Sequence, residues 1–308
     1  MKLFITGATG VLGRLVARQS IAAGHEVWAL ARSDANVEAL ERAGAKPIRG
    51  DLFDLAAMTE AIEGADAVLH LATRIPPTSE LRRPGAWGEN DRIRREGTRI
   101  LVDASLAVGS VRTLIYPSVV VVYADGGADW IDALASPIEP WSPTSSTIEA
   151  EAQVARFAVA RDGNRGIALR FGSFYGPESA DSCQAVAMAR KGFVQPLAAT
   201  DAFKSMIWID DAAKAVLSAL DRAPSGVFDV TEDSPFTQGQ AVEALSSAVG
   251  KRRLVKLPRW LLRLVVDQRV RDLLARSQRV TNHRFKQVTG WAPEVPNQNV
   301  GWRRVAAG

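Results

Sequence analysis

Apolar residues along this chain fall into short unbroken runs, separated by stretches where they recur every three or four positions. Residues 1–6 form the first run and lead into glycines. The stretch 11–23 then places Val11, Leu12, Leu15, Val16 and Ile21 at helical spacing before Gly24 stops it. The same alternation predicts strands over 26–31, 46–49, 67–72, 113–117 and 167–171, and helices over 37–43, 55–62, 90–107 and 148–160. Repeated strand–helix–strand units predict a mainly parallel sheet. After about residue 172 the pattern loosens, with Gly, Pro and Ser gathered near 175–182 and 224–235, and this part is expected to supply a smaller lobe. The stretch 251–279 mixes Arg and Lys with Leu, Val and Trp260, and amphipathic packing with snorkelling basic side chains explains it.

Composition narrows the class. With 308 residues, 47% hydrophobic and 23% charged, disorder and fibre are excluded and a continuous core is expected. The N-terminus lacks a secretory signal pattern, and the longest uncharged apolar run, 113–124, is too short to span a bilayer, so no membrane segment is expected. A net charge of +4 is a mild excess that reads as solvated surface rather than a nucleic-acid footprint. The single cysteine, Cys183, cannot close an internal disulfide and gives no metal cluster, which fits a reducing, cytoplasmic setting.

The chemistry begins at Thr6-Gly7-Ala8-Thr9-Gly10-Val11-Leu12-Gly13, where glycines recur every third residue between the first strand and the first helix. A dinucleotide pyrophosphate needs a sharp turn, close backbone approach and free N–H groups at a helix N-terminus, and this segment suits those needs. Gly7, Thr9, Gly10, Val11, Leu12 and Gly13 are therefore candidate cofactor contacts. After the second strand the chain reads Ala31-Arg32-Ser33. Arg32 can pair with a 2′-phosphate and Ser33 can donate to it, which favours NADP(H) over NAD; Asp34 reads as a helix N-cap. Asp51, with Leu52 after it, is placed either to accept the adenine amino proton or to cap a helix. His70, inside the buried run 68–72, reads as a core histidine.

TGATGVLG at the start, GDL at 50–52, HLAT at 70–73, PSVVVVY at 117–123, LRFGSFYGP at 169–177 and WIDDAA at 208–213 together resemble the extended short-chain dehydrogenase/reductase superfamily, over nearly the whole chain. The resemblance implies an α/β fold: a Rossmann-type doubly wound parallel sheet over residues 1–171 that binds NAD(P). A smaller C-terminal substrate lobe over 172–308 would return some segments to the body. It also implies that Leu71, Ala72, Thr73, Pro117, Phe171 and Ser173 lie near the cofactor.

The superfamily's catalytic set is a Ser or Thr on the fifth strand, then a Tyr and a Lys four residues later. Here that set is broken. Aligning on Tyr123 places Val119 at the hydroxyl position and Ser118 one residue early, so Ser118 is the catalytic candidate if a bulge turns it inward. The segment 142–151 contains neither Tyr nor Lys; Pro143 and Thr147 stand in their places. Arg94 occupies the position of an expected Asn, and Trp208 that of a basic residue or His.

An NADP site without Tyr and Lys resembles atypical ketoreductases of actinomycete aromatic polyketide pathways, those of simocyclinone type among them. That resemblance implies an aromatic ketone as the small-molecule substrate, with a phenol beside its carbonyl as proton source. Ser118, Tyr123, Tyr175 and an ordered water are the other possible donors. Two other functions are open: an NADP-binding sensor or scaffold without turnover, and a nucleotide-sugar epimerase or dehydratase. The loss of Tyr and Lys counts against the latter, because those reactions begin with proton removal.

Overall fold

The structure is a computed structural model and describes residues 1–76, 80, 83, 85–140, 142–258, 260 and 268–308. Among these, seven parallel strands form the central sheet: β1 Lys2–Thr6, β2 Glu26–Ala31, β3 Lys46–Arg49, β4 Ala67–His70, β5 Thr113–Val119, β6 Arg165–Phe171 and β7 Gly226–Val230. Their spatial order is β3-β2-β1-β4-β5-β6-β7. The winding direction reverses between β1 and β4, which opens a crevice at the carboxyl edge of the sheet.

Strand residues alternate between two cores, as the period of two requires. Leu3 and Ile5 of β1 join a core with α1 (Val11–Ala22), to which α8 (Ile209–Arg222) and α11 (His283–Thr289) contribute Val216 and Phe285. Phe4, between them, points to the opposite face. There it meets side chains of α3 (Leu55–Ala61), α5 (Thr98–Val108) and α6 (Ser142–Val159), including Met58, Leu101 and Phe157. Burial on both faces explains why the strands read as continuous apolar runs rather than alternating ones.

β7 pairs with β6, and α8 packs on α1, so two segments beyond residue 172 complete the body of the sheet. A separate core joins α7 (Ala180–Arg190), α9 (Gln238–Ala248) and α12 (Gln298–Ala307) around Tyr175, Trp208 and Trp302. Within the basic stretch 251–279, residues 259 and 261–267 lie outside the described residues; α10 spans Gln268–Ala275. Among the described residues no helix is long and apolar enough to cross a membrane.

Three helices differ from the sequence pattern. α2 (Asp34–Arg42) starts three residues before the expected 37, because the Ser33 hydroxyl oxygen accepts from the Asn36 N–H at 3.3 Å. Ser33, not Asp34, is the cap, and Asp34 pairs with Arg49 instead. α6 begins at Ser142 rather than 148, on a polar segment whose Thr144, Ser146 and Thr147 are nonetheless buried. The helix expected over 90–107 is α4 (Gly88–Arg92), a π-helical turn at Ile93–Gly97, and α5. The wider turn carries Arg94, buried and on a cavity wall, and π-turns within helices gather at functional sites.

The lobe core contains one costly group. The Tyr175 hydroxyl donates to Glu232 Oε2 at 3.0 Å, and Gln298 Nε2 donates to Oε1 at 3.3 Å. Burial nevertheless pushes the Glu232 carboxyl from 4.5 up to about 8. Between those two values the folded chain holds a proton that the unfolded chain has released. Stability therefore falls as pH rises through that window, by up to about 1.4 kcal/mol per pH unit. Glu232→Gln is expected to melt above the unmodified protein near about pH 8.5, with the difference shrinking towards about pH 5. Melting curves at the two pH values check this, and a difference independent of pH would contradict it.

Candidate active site

The crevice at the switch point is a cavity of about 430 Å³. Its first wall is the glycine turn. Gly7 has φ +74°, and a Cβ there would lie 2.6 Å from the Ala72 backbone. A Cβ on Gly13 would lie 2.0 Å from the Gly7 carbonyl oxygen. The turn is closed by Gly10 N–H donating to Gly7 O at 2.9 Å, and Gly10 caps α1 without a side chain. The first N–H groups of α1 are thus left to an anionic ligand, with no acidic side chain in the first turn to oppose it.

A buried histidine sets the distance between β1 and β4 here. His70 Nε2 lies 3.4 Å from the Ile93 carbonyl, which can only accept, so Nε2 carries the proton and Nδ1 accepts from the Thr6 hydroxyl at 2.7 Å. Burial lowers the ring's pKa to about 4, which keeps it neutral. The expected core role of His70 is the role it has.

The cavity wall brings together most of the residues proposed from sequence. The turn contributes Gly7, Thr9, Gly10, Val11, Leu12 and Gly13. Arg32 comes from the end of β2, and Asp51 and Leu52 from the end of β3. Leu71, Ala72 and Thr73 follow β4, and Pro117 and Ser118 lie on β5. Three proposed contacts stand off this wall: Ser33 caps α2, Phe171 is buried in the sheet core, and Ser173 faces a second cavity. The wall also holds residues the sequence reasoning did not select, among them Asn36, Phe53, Arg74, Arg94 and Phe174. Arg94 carried a signal, since it stands at the position of an expected Asn; Arg74 carried only its position after HLAT.

Ser118 reaches the wall without a bulge. β5 pairs with β6 residue for residue, Ser118 opposite Arg170 and Val119 opposite Phe171, and both Ser118 and Val119 line the cavity. The Ser118 hydroxyl donates to Glu151 Oε1 at 2.5 Å. Glu151 in turn receives two hydrogen bonds from Arg170, at 2.9 and 2.7 Å, and both side chains of the pair are buried. A carboxylate held by a guanidinium only accepts, so Ser118 is fixed as the donor and turns lone pairs towards the cavity. Glu151 stands one helical turn after Thr147 on α6, and the sequence reasoning did not select it.

Among the described residues no tyrosine lines this cavity. The chain has three, Tyr116, Tyr123 and Tyr175, all essentially inaccessible, and none is on the cofactor-side wall. Burial pushes Tyr116 up to about 12 and raises Tyr123 and Tyr175 as well; Asp229 beside Tyr123 and Glu232 beside Tyr175 add to this. The Tyr123 hydroxyl donates to Asp229 Oδ1 at 2.7 Å.

A second cavity of about 340 Å³ adjoins the first and shares Phe174 as a wall. Val121, Val242, Leu245, Leu273 and Trp302 make it mostly apolar. Its cation, Lys204, has its ammonium on the Leu274 and Arg276 carbonyls, at 2.5 and 2.6 Å, and four glutamines supply neutral polar groups.

Residues 3–230 match the NAD dependent epimerase/dehydratase family, so the chain belongs to that family. A 3-diazoavenalumate denitrifying reductase from a Streptomyces species is 27% identical over 314 residues, covering 99% of this chain and 100% of that protein. A 2-alkyl-3-oxoalkanoate reductase from Stenotrophomonas maltophilia is 28% identical over 274 residues, 83% of this chain and 78% of its own length. Among solved structures, human epimerase family protein SDR39U1 with NADPH superposes with a TM-score of 0.85 at 21% identity, over 100% of both chains. The UDP-glucose 4-epimerase of Thermotoga maritima with UDP-glucose gives 0.77 at 20% identity, covering 100% and 98%. These structural likenesses show the shared fold. The family is NAD dependent, and the first cavity carries the glycine turn and free helix N-terminus that suit a dinucleotide.

Because the Gly13 Cβ would strike backbone rather than a movable side chain, Gly13→Ala is expected to lose dinucleotide binding and to cost about 1–3 kcal/mol of stability or more. Calorimetric titration and thermal melting of the variant check both effects.

Proposed function

We propose that the protein is an NADPH-dependent reductase that delivers hydride to an aromatic ketone of polyketide type and takes the proton from the substrate itself. The observation that carries this reading is the lack, among the described residues, of the superfamily's usual tyrosine acid on the cavity wall. α6 has neither Tyr nor Lys, the three tyrosines are buried off the cofactor wall, and Ser118 spends its proton on Glu151. A positioned acid contributes roughly 10²–10⁴ in rate. A phenol hydrogen-bonded to the reacting carbonyl replaces it within the substrate.

Bound NADPH supplies the hydride. The glycine turn would hold the pyrophosphate on the N–H groups of α1, and Arg32 would take the 2′-phosphate. Arg94 sets a buried positive charge on the wall that also carries Ser118, where it favours an anionic product. The apolar second cavity seats the aromatic body and excludes water. Its neutral glutamines and engaged Lys204 suit an uncharged ring system better than the diphosphate of a nucleotide sugar, which supports a reductase over an epimerase.

A second reading is supported by the reductase from Streptomyces, which aligns over its full length. Hydride added to the terminal nitrogen of an arenediazonium gives an aryldiazene. That species loses N₂ as its hydrogen passes to the ring carbon. This sequence also needs no acid from the protein.

Two measurements test the proposal. Arg32→Asp is expected to weaken NADP⁺ about tenfold or more while NAD⁺ changes little, as titration of both cofactors would show; equal losses overturn the NADP assignment. In single-turnover hydride transfer, ketones with an adjacent phenol are expected to react far faster than their bound methyl ethers. Equal rates would make the substrate-assisted route wrong. Turnover of an arenediazonium salt with N₂ release, and of neither ketone, would favour the second reading.

A further inference from the structure

Arg32 is not alone at its end of the cavity. Arg74, four residues beyond β4, stands on the same wall although it comes from a different strand end. Glu89, in the first turn of α4, lies between the two arginines: Oε1 is 3.5 Å from Arg32 Nη1 and Oε2 is 3.7 Å from Arg74 Nε. One carboxylate thus spans two guanidinium groups. All three side chains are at least half exposed, so solvent and a ligand can reach them.

The arrangement is anchored from below. The fully buried Asn90 accepts the Arg74 backbone N–H on its side-chain oxygen at 3.0 Å, which ties the segment after β4 to α4. The Ser146 hydroxyl donates to Asp91 at 2.7 Å, which ties α4 to α6. These two bonds fix where Glu89 and Arg74 emerge. Arg49, the cation at the end of β3, is paired with Asp34 and is not on the wall.

We propose that Arg32 and Arg74 form a two-pronged site for a phosphomonoester, the cofactor's 2′-phosphate, and that Glu89 occupies the site in its absence. The inference rests on the NADP reading and adds to it two residues that decide cofactor choice. A phosphomonoester carries about −1.5 to −2 charge near neutral pH and three acceptor oxygens, against one charge and two oxygens on Glu89. Two guanidinium forks therefore favour the phosphate, and Glu89 is displaced. A ribose 2′-hydroxyl carries no charge and leaves the Glu89 pairs in place.

Calorimetric titration of the full chain with NADP⁺, NAD⁺, adenosine 2′,5′-bisphosphate and AMP tests this without any catalytic readout. Arg74→Gln is expected to weaken NADP⁺ and the bisphosphate about tenfold and to leave NAD⁺ and AMP unchanged. Removing the competitor with Glu89→Gln is expected to tighten the same two ligands about two- to fivefold. In the double variant the gain from Glu89→Gln should shrink, since one prong has gone. All three side chains are exposed, and unchanged melting temperatures confirm that the variants fold. The inference is overturned if Arg74→Gln weakens NADP⁺ and NAD⁺ alike, or if Glu89→Gln leaves NADP⁺ unchanged. Its failure is distinct from failure of the NADP reading, which shows as equal loss of both cofactors in Arg32→Asp.

Discussion

Everything at the carboxyl edge of the sheet depends on three backbone segments meeting without side chains between them. The Gly7 carbonyl oxygen lies where a Cβ of residue 13 would be, and the Ala72 backbone lies where a Cβ of residue 7 would be. That contact seats α1 against β1 and sets how closely the segment after β4 crosses the turn. The Thr6–His70 hydrogen bond holds the same two strand ends from beneath, with a ring that burial keeps neutral. A side chain at either glycine would shift the helix N-terminus and the two strand ends together, and with them the cavity.

A second constraint is electrostatic. Glu151 and Arg170 are a buried ion pair, and breaking such a pair from one side typically costs about 3–5 kcal/mol because a charge is stranded. The pair links α6 to β6 and, through Ser118, to β5. Its presence decides the direction of the Ser118 hydroxyl, which no property of Ser118 alone could do. The region that carries a tyrosine and a lysine in the superfamily this chain resembles is here a structural tie.

Six of the seven strands were legible because strands buried on both faces leave unbroken apolar runs, and the glycine turn because close approach allows few other residues; β7 was missed because it lies among the Gly, Pro and Ser of 224–235. Helix starts were less legible. α6 begins on Ser142-Pro143-Thr144, where buried hydroxyls rather than apolar side chains face inward, so the hydrophobic period misses its first turn. The π-turn at Ile93–Gly97 is invisible to a period of 3.6. In the candidate site, most residues inside a recognisable motif were found, while Phe53 and Arg74, which follow GDL and HLAT, were not selected. Glu151 and Glu89 were not, because their ion-pair partners, Arg170 for the one and Arg32 and Arg74 for the other, lie 15 to 57 positions away and only the fold brings them near. Ser33 misled for a related reason, since the same hydroxyl that could meet a phosphate also caps a helix.

Phe174 forms part of both cavities, with its ring 5.4 Å from that of Phe171. A shared aromatic wall means that the two compartments are not thermodynamically independent. Any ligand that settles this ring in one position does so for its neighbour as well, and linkage requires the effect to be equal in both directions. The strength with which one compartment's ligand affects the other's is then carried in part by one side chain.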